Sequence, residues 1–214
     1  MNNTADTIMI LLVLTNLTLL GLSRLGTCIR VVALQGTVLG ILPLLFNSWS
    51  LEFHLIIFSI AIIGLKGIIF PWMLRRTLRD LNTHREIEPF IGYGTSIAMG
   101  MVILMICIWL SSRLLLPVAS ESKLIVPVAF FTIMSGLFLI ISRKKAITQV
   151  LGYLVMENGI YTFGVALVEK QPVFVELGIL LDVFVAVFVM GITMFHINRE
   201  FDHIDTDQLS KLKV

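Results

Sequence analysis

The sequence predicts an all-α membrane protein: a polytopic helix bundle of seven transmembrane helices, with its N-terminus outside and its C-terminus cytoplasmic. Composition is the first reason, because 57% of the 214 residues are hydrophobic and only 14% are charged, whereas soluble domains carry about 25% charged residues. The mean hydropathy of +0.95 agrees with this class. A net charge of +2 leaves no strongly basic surface, so the chain is not expected to bind nucleic acid.

Seven apolar runs are long enough to cross a bilayer, since about 20 apolar residues span its hydrocarbon core. In chain order they cover residues 7–22, 28–47, 52–74, 91–111, 124–142, 146–168 and 173–197. With the N-terminus outside, the inner loops hold twelve Lys or Arg residues, among them Arg143, and the outer loops hold three. This excess of positive charge on the inner loops indicates the orientation.

The third span is unusual because it contains a lysine, Lys66, together with Gly64 and Gly67. Two such glycines would let a neighbouring helix approach closely. Gln35 and Lys66 are about equally far from the turn between the second and third spans, so they should share a depth in the membrane. Lys66 either belongs to a buried polar path or extends its long side chain to the cytoplasmic interface. His54, at the outer end of the same span, is either an interfacial residue or an outer member of that path.

Other parts of the chain are expected to be structural. The fourth span has no charged residue between positions 91 and 111, which is typical of a structural or lipid-facing helix. The segment Arg75–Pro89 mixes both signs of charge and is predicted to be a solvated cytoplasmic connection, either irregular or a short surface helix that touches a partner. Cys28 and Cys107 stand apart from any Cys-x-x-Cys pair or His cluster, so both are expected to be buried apolar residues.

The sixth and seventh spans each contain a carboxylate, Glu157 and Asp182, at similar distances from the turn between them. About 12 helical residues separate each acid from that turn, or roughly 18 Å, near half of a bilayer core about 30 Å thick. A carboxylate at this depth costs about 2.5–3.5 kcal/mol, so such residues usually face a bundle interior and serve a function. Two acids at one depth favour a proton relay. The alternative is that both are protonated and hydrogen-bonded within the bundle.

Polar residues on the sixth span recur every four positions, at Gln149, Tyr153, Glu157 and Tyr161, so they share one face that can hold a chain of water molecules. The predicted proton path therefore consists of Glu157, Asp182, Lys66, Gln35, Tyr153, Tyr161 and His54. The sequence contains no Gly-rich phosphate loop, no Ser/His/Asp pattern and no metal-ligand spacing. Catalytic, cofactor-binding and metal-ligating residues are therefore not predicted in this chain.

The segment QVLGYLVMENG at 149–159, followed by VELGILLD at 175–182 and FVAV at 184–187, resembles hydrogenase-4 component E. That family is a membrane subunit of hydrogenase-4 and related formate hydrogenlyase complexes. The last three spans also look like subunit K of respiratory complex I and its relative, the C-type subunit of multisubunit sodium/proton antiporters. Subunit K carries intramembrane glutamates on two consecutive helices. The resemblance places Glu157 at the first of these positions and Asp182 near the second.

This resemblance implies a division into a four-helix membrane part at 1–120, a subunit K-like three-helix part at 121–198 and a cytoplasmic tail at 199–214. It implies a non-catalytic subunit of a complex-I-related membrane-bound nickel-iron hydrogenase in a prokaryotic inner membrane, contributing buried acids to proton translocation. The expected partners are antiporter-like membrane subunits, a quinone-chamber-like membrane subunit and a cytoplasmic hydrogenase arm holding nickel-iron and iron-sulfur centres. Two alternatives stay open, a subunit of a cation/proton antiporter and a purely structural spacer, and the coupling ion is either H⁺ or Na⁺.

Overall fold

The computed structural model describes residues 2–46, 53–80, 91–114, 122–143 and 146–167, and the elements in these ranges are all helices, as predicted. The α-helices are α1 (Asn2–Gly21), α2 (Leu25–Phe46), α3 (Phe53–Ile62), α4 (Phe70–Asp80), α5 (Tyr93–Arg113), α6 (Ile125–Ser142) and α7 (Ala146–Leu167). A π-helical segment, Ile63–Ile69, joins α3 to α4. The predicted seventh span at 173–197, with Asp182, and the tail at 199–214 lie outside the described residues.

Four of the described helices are long and apolar enough to cross a membrane. They include Thr4–Gly21 in α1, Leu25–Leu44 in α2, Tyr93–Arg113 in α5 and Ile125–Ser142 in α6. The chain is therefore a helical membrane protein. The total of seven spans and the sides on which the termini lie stay predictions.

The helix that contains Lys66 extends further than its apolar run. The sequence places its end at residue 74, whereas α3, the π segment and α4 form one continuous helix, the α3–α4 helix, that ends at Asp80. Phe70 and Leu74 are buried and Leu78 packs against the same apolar cluster. These three residues recur every four positions, so one face of the helix stays buried although Arg75 is exposed. Residues 75–80 therefore belong to a helix with one buried face and exposed arginines on the other, which agrees with the predicted surface helix.

The π segment changes the register of the α3–α4 helix around Lys66. The Phe70 N–H donates to the Leu65 carbonyl, five residues back rather than four. Pro71 follows at once, and because proline has no N–H and its ring collides with the carbonyl four residues earlier, the ordinary α-helical pattern is disfavoured there. Isolated π turns are often found at functional sites. Lys66 lies in the middle of this one.

Glycines let α6 and α7 pack backbone to backbone. A Cβ added to Gly136 would lie 2.6 Å from the Gly152 carbonyl oxygen, and one added to Gly159 would lie 2.6 Å from the Ile133 backbone nitrogen. Side chains larger than hydrogen at these positions would therefore push the helices apart, which is the usual reason for small residues between membrane helices. This contact holds one face of α7 on α6. Other residues of α7, including Val155, pack in a buried cluster with α1 and α2.

The α5 helix is the least enclosed of the described helices. It contacts α1 and α6, but Met105 is 62% exposed and Trp109 is 60% exposed. Cys107, on the other face, is buried, as is Cys28 in α2, and both are free thiols. The exposed apolar surface of α5 agrees with the expectation of a structural or lipid-facing helix.

Candidate functional site

The main polar feature of the bundle is a buried ion pair between the α3–α4 helix and α7. Lys66 Nζ lies 2.7 Å from Glu157 Oε1, and the two side chains are 6% and 2% exposed. The sequence singled out both residues but paired Lys66 with Gln35, and Glu157 with Asp182. A buried charge is tolerated when an opposite charge compensates its desolvation, and each residue here supplies that charge to the other.

Further residues of α7 surround the Lys66 ammonium. Nζ donates to Asn158 Oδ1 at 3.3 Å, and it lies 5.5 Å from the centroid of the Tyr161 ring. The Thr162 hydroxyl donates to the Asn158 carbonyl one turn later, at 2.7 Å. Asn158 was not predicted as a site residue from the sequence. It could have been found as a polar amide directly beside Glu157 in an otherwise apolar helix. The ammonium is therefore held by a carboxylate, an amide oxygen and an aromatic face.

A glycine of α2 lets the α3–α4 helix approach closely enough to place Lys66 beside Glu157. A Cβ added to Gly36 would lie 2.5 Å from Lys66 Cβ and 3.2 Å from the Lys66 carbonyl oxygen, so α2 presents bare backbone to the base of the lysine. Gly67, predicted to admit a neighbour, likewise packs against Thr37 of α2. Gly64 does not, because a Cβ there would meet no atom within 4 Å. With its base against α2 and Nζ at Glu157, Lys66 does not reach for the membrane interface.

A second polar cluster, which we call the neutral cluster, joins α1, α2 and α6. Gln35 Nε2 donates to Thr15 Oγ1 at 2.9 Å and to Asn16 Oδ1 at 2.8 Å. Asn16 Nδ2 donates in turn to Thr132 Oγ1 at 2.8 Å. All four side chains are buried and none carries a charge. Gln35 was predicted as a partner of Lys66, but the described hydrogen bonds of its amide nitrogen go to α1.

A small cavity of about 10 Å³ touches the ion pair. This is about the smallest space that holds one water molecule. Its polar lining is Lys66 and Asn158, and the remaining wall is apolar: Ile29, Val32, Phe70, Pro71, Leu74 and Leu154. Phe70 and Leu74 follow Lys66 in the α3–α4 helix and Leu154 precedes Asn158 in α7. The cavity therefore extends toward the end of the bundle at which α4 ends and α7 begins.

Arg143, which the sequence places among the inner-loop cations, is buried at that same end, with 1% exposure. Its Nη2 donates to the Leu20 carbonyl at 2.9 Å, and its guanidinium carbon lies 5.2 Å from the centroid of the Tyr93 ring. Arg143 is buried because α6 ends beside the last carbonyls of α1 and beside Tyr93, the first residue of α5. Burial lowers the pKa of Arg143, while Tyr93 and Cys28 oppose that change. An arginine keeps its charge nevertheless.

The structure gives positions for some of the remaining residues of the predicted proton path. Tyr153 is half-buried against the apolar cluster at the start of α7, and Tyr161 is half-buried beside Lys66. His54 lies in α3, but its side chain is outside the described part of the chain, as is Asp182. Within the described residues no three His, Cys, Asp or Glu side chains lie close enough to hold a metal ion.

Comparison with known proteins gives two kinds of relative. The family model for NADH-ubiquinone/plastoquinone oxidoreductase chain 4L matches residues 124–214, which include α6 and α7. A Mycobacterium tuberculosis protein, Rv0085, is 31% identical over 205 residues, covering 94% of this chain and 92% of that protein. Hydrogenase-4 component E of Escherichia coli K12 and of Shigella flexneri is 27% identical over 160 residues, covering 75% of this chain and 74% of each relative.

No solved structure matches the chain significantly. The mycobacterial match extends over nearly the whole length of both chains, and the component E match covers about three quarters. The carboxy-terminal match falls on the part that supplies Glu157 and Asn158. This protein belongs to one family with the mycobacterial protein, it is a homologue of hydrogenase-4 component E, and its carboxy-terminal part matches the chain 4L family model.

Proposed function

We propose that this protein is a non-catalytic, multi-pass inner-membrane subunit of a complex-I-related, membrane-bound nickel-iron hydrogenase, and that Glu157 carries protons in its translocation path. The names of the component E relatives and of the chain 4L family support the kind of complex. The observation that carries the mechanism is the Lys66–Glu157 pair, 2.7 Å apart in an apolar bundle. A spacer would not need charges that are costly to bury.

In the proposed mechanism Glu157 alternates between its charged and protonated forms. The Lys66 ammonium stabilises the carboxylate, so the charged form can persist away from bulk water. A proton that arrives through water neutralises the carboxylate, and its release to the next acceptor restores the ion pair. Lys66 keeps its own protons throughout. One proton therefore enters and one leaves in each cycle.

Water access from one side is part of the proposal. The cavity beside Lys66 and Asn158 lies toward the end of the bundle at which α7 begins. The proposed orientation has seven spans with the N-terminus outside, so that this end is cytoplasmic. Cysteine labelling of intact cells and inverted vesicles checks it: a label at position 144 should react from the cytoplasm and one at 170 from outside. Reaction of both labels from one side would contradict the orientation.

The proposed proton path beyond Glu157 and the proposed partner subunits are based on the resemblance to the family. Asp182 is the proposed next proton acceptor, and Gln35, Tyr153, Tyr161 and His54 are proposed to flank the path. Antiporter-like membrane subunits, a quinone-chamber-like membrane subunit and a cytoplasmic hydrogenase arm are the proposed neighbours. The nickel-iron and iron-sulfur centres would reside in that arm, and this chain would supply none of their ligands.

The substitution Glu157→Gln tests the proposal, because glutamine has nearly the same shape but cannot take up and release a proton. The complex should assemble, while the number of protons moved per electron in sealed vesicles falls. Asp6→Asn is a matched control: it is also an acid-to-amide change, at an acid that accepts a hydrogen bond from the Ser122 hydroxyl at 2.7 Å and does not contact the ion pair. A wild-type ratio in Glu157→Gln would favour a structural spacer instead.

A further inference from the structure

The side-chain oxygen of Gln35 is an acceptor without a donor among the described residues, although Gln35 is 0% exposed. Buried polar atoms in membrane bundles are normally hydrogen-bonded, because hydrocarbon offers no substitute for a missing partner. Such an atom in the bundle interior therefore needs a donor, and a flexible donor side chain nearby is a candidate.

The orientation of this amide is determined by its neighbours. The Thr132 hydroxyl donates to the Val128 carbonyl at 2.8 Å, so it can only accept from Asn16 Nδ2. The Asn16 amide must then present its oxygen to Gln35, which donates with Nε2. Because an amide has one donating and one accepting end, Gln35 Oε1 is left as the acceptor. Flipping the Gln35 amide would lose its bonds to Thr15 and Asn16.

The Thr15 side of the neutral cluster gives the same answer. The Thr15 hydroxyl hydrogen is used by the carbonyls of Leu11 and Leu12, each 2.9 Å away. Thr15 can therefore only accept from Gln35 Nε2. Thr15 and Asn16 thus both accept hydrogen bonds from the Gln35 nitrogen. The Gln35 oxygen takes part in neither bond.

Lys66 is a buried cation whose base packs against this part of α2. Gly36, the residue after Gln35, packs against Lys66 Cβ. A lysine side chain has a flexible four-carbon stem that ends in three donors. With its base fixed beside α2, the ammonium can turn toward α7, where Glu157 lies, or back toward α2, where the Gln35 oxygen lies.

We infer that Gln35 Oε1 is the second acceptor for the Lys66 ammonium, occupied while Glu157 is protonated. This inference rests on the proposed function, in which Glu157 gains and loses a proton. Protonation removes the negative charge that attracts the ammonium, and the unused amide oxygen of Gln35 then binds it better than a neutral carboxyl group does. Release of the proton from Glu157 brings the ammonium back. No proton moves to or from Lys66 in either step.

The movement gives the neutral cluster a purpose beyond packing. It holds one oxygen ready to receive a charged group, so the lysine never stands without an acceptor inside the bundle. It also removes the ammonium from the protonated Glu157, which clears that carboxyl group for the next proton acceptor.

A cryo-EM structure of the whole complex carrying Glu157→Met tests the inference directly, since methionine offers no oxygen to the ammonium. Lys66 Nζ should lie within hydrogen-bonding distance, about 3 Å, of Gln35 Oε1. In the wild-type complex it should lie at Glu157. An ammonium that stays on Asn158 in the variant, or that turns elsewhere, would overturn the inference.

A functional measurement covers the case in which that variant does not assemble. Gln35→Met removes the acceptor and keeps the ion pair, so the proton-to-electron ratio in sealed vesicles should fall. Thr18→Val, at an exposed threonine of α1 outside the neutral cluster, is the control and should pump as the wild type does. A wild-type ratio in Gln35→Met, with Glu157→Gln impaired, rejects this inference alone. A wild-type ratio in Glu157→Gln rejects the proposed function itself.

Discussion

Two polar clusters lie inside the same apolar bundle, and they differ in one respect that matters. In the neutral cluster, Thr15, Asn16, Gln35 and Thr132 are joined by hydrogen bonds of fixed direction. In the charged cluster, Lys66 meets Glu157 and Asn158. Both are buried. Only the charged cluster contains a group whose proton can be exchanged.

The difference teaches that burial of polar residues does not by itself indicate a proton path. A network of neutral amides and hydroxyls holds helices together and fixes orientation, because every donor is already assigned. An ion pair in the same surroundings is expensive to build, and replacement by apolar residues is often neutral or stabilising. For this reason the proposed function assigns the Lys66–Glu157 pair to proton translocation rather than to stability.

The largest effect is expected when one charge of the Lys66–Glu157 pair is removed and the other is kept. Lys66→Met leaves Glu157 buried without its counter-charge, and loss of one partner of a buried pair costs about 3–5 kcal/mol. The complex should dissociate at a lower temperature in a thermal-shift assay, and proton translocation should be lost.

The double variant Lys66→Met with Glu157→Met sharpens this prediction. It removes both charges, so most of the thermal stability should return while proton translocation stays absent. If the double variant were as unstable as the sum of the two single ones, the two residues would not act as a pair.

A smaller effect is expected from breaking the neutral cluster. Asn16→Leu removes the link between Gln35 and Thr132 and leaves buried donors unsatisfied, at a cost of about 1–3 kcal/mol. The dissociation temperature of the complex should fall, and its proton-to-electron ratio should fall less than in Gln35→Met, because Thr15 still accepts from the Gln35 nitrogen. A ratio as low as that of Gln35→Met would mean that Asn16 is as important as Gln35 for proton translocation.

The smallest expected effect tests the contact between the two clusters. Gly36→Ala places a methyl group against Lys66 Cβ and its backbone, and overpacking of this kind costs about 1 kcal/mol. Gly64→Ala is the matched control, because a Cβ there meets no atom within 4 Å. The first variant should slow proton translocation modestly and the second should not. Equal rates would show that the lysine tolerates displacement.

The helical class, and the presence of Glu157 and Lys66 inside apolar helices, could be predicted because both follow from local sequence. Apolar length predicts helices, and a charge within an apolar run is conspicuous wherever it lies. Partners could not be predicted in the same way. Counting residues from a turn compares only helices that are adjacent in sequence, whereas Lys66 and Glu157 are 91 positions apart and meet through packing around Gly36.

Arg143 shows the same limit at the end of the bundle. Within a run of three cations at 143–145 it has the sequence of a solvated loop, and only the three-dimensional arrangement places it against Leu20 and Tyr93. Asn16 and Thr132 were overlooked for a related reason. A single neutral polar residue in an apolar helix is common, and its importance depends on a partner that sequence does not reveal.

The apolar wall of the cavity beside Lys66 has a consequence for energy conservation. A proton crossing a membrane under a potential of 100 mV releases about 2.3 kcal/mol, so a permanent file of water through the bundle would act as a short circuit. Phe70, Leu74 and Leu154 line the space between the ion pair and the end of the bundle, and such constrictions exclude water spontaneously. In the proposed path these side chains insulate the ion pair electrically. Water fills the cavity between them only briefly, and at other times protons cannot flow backward.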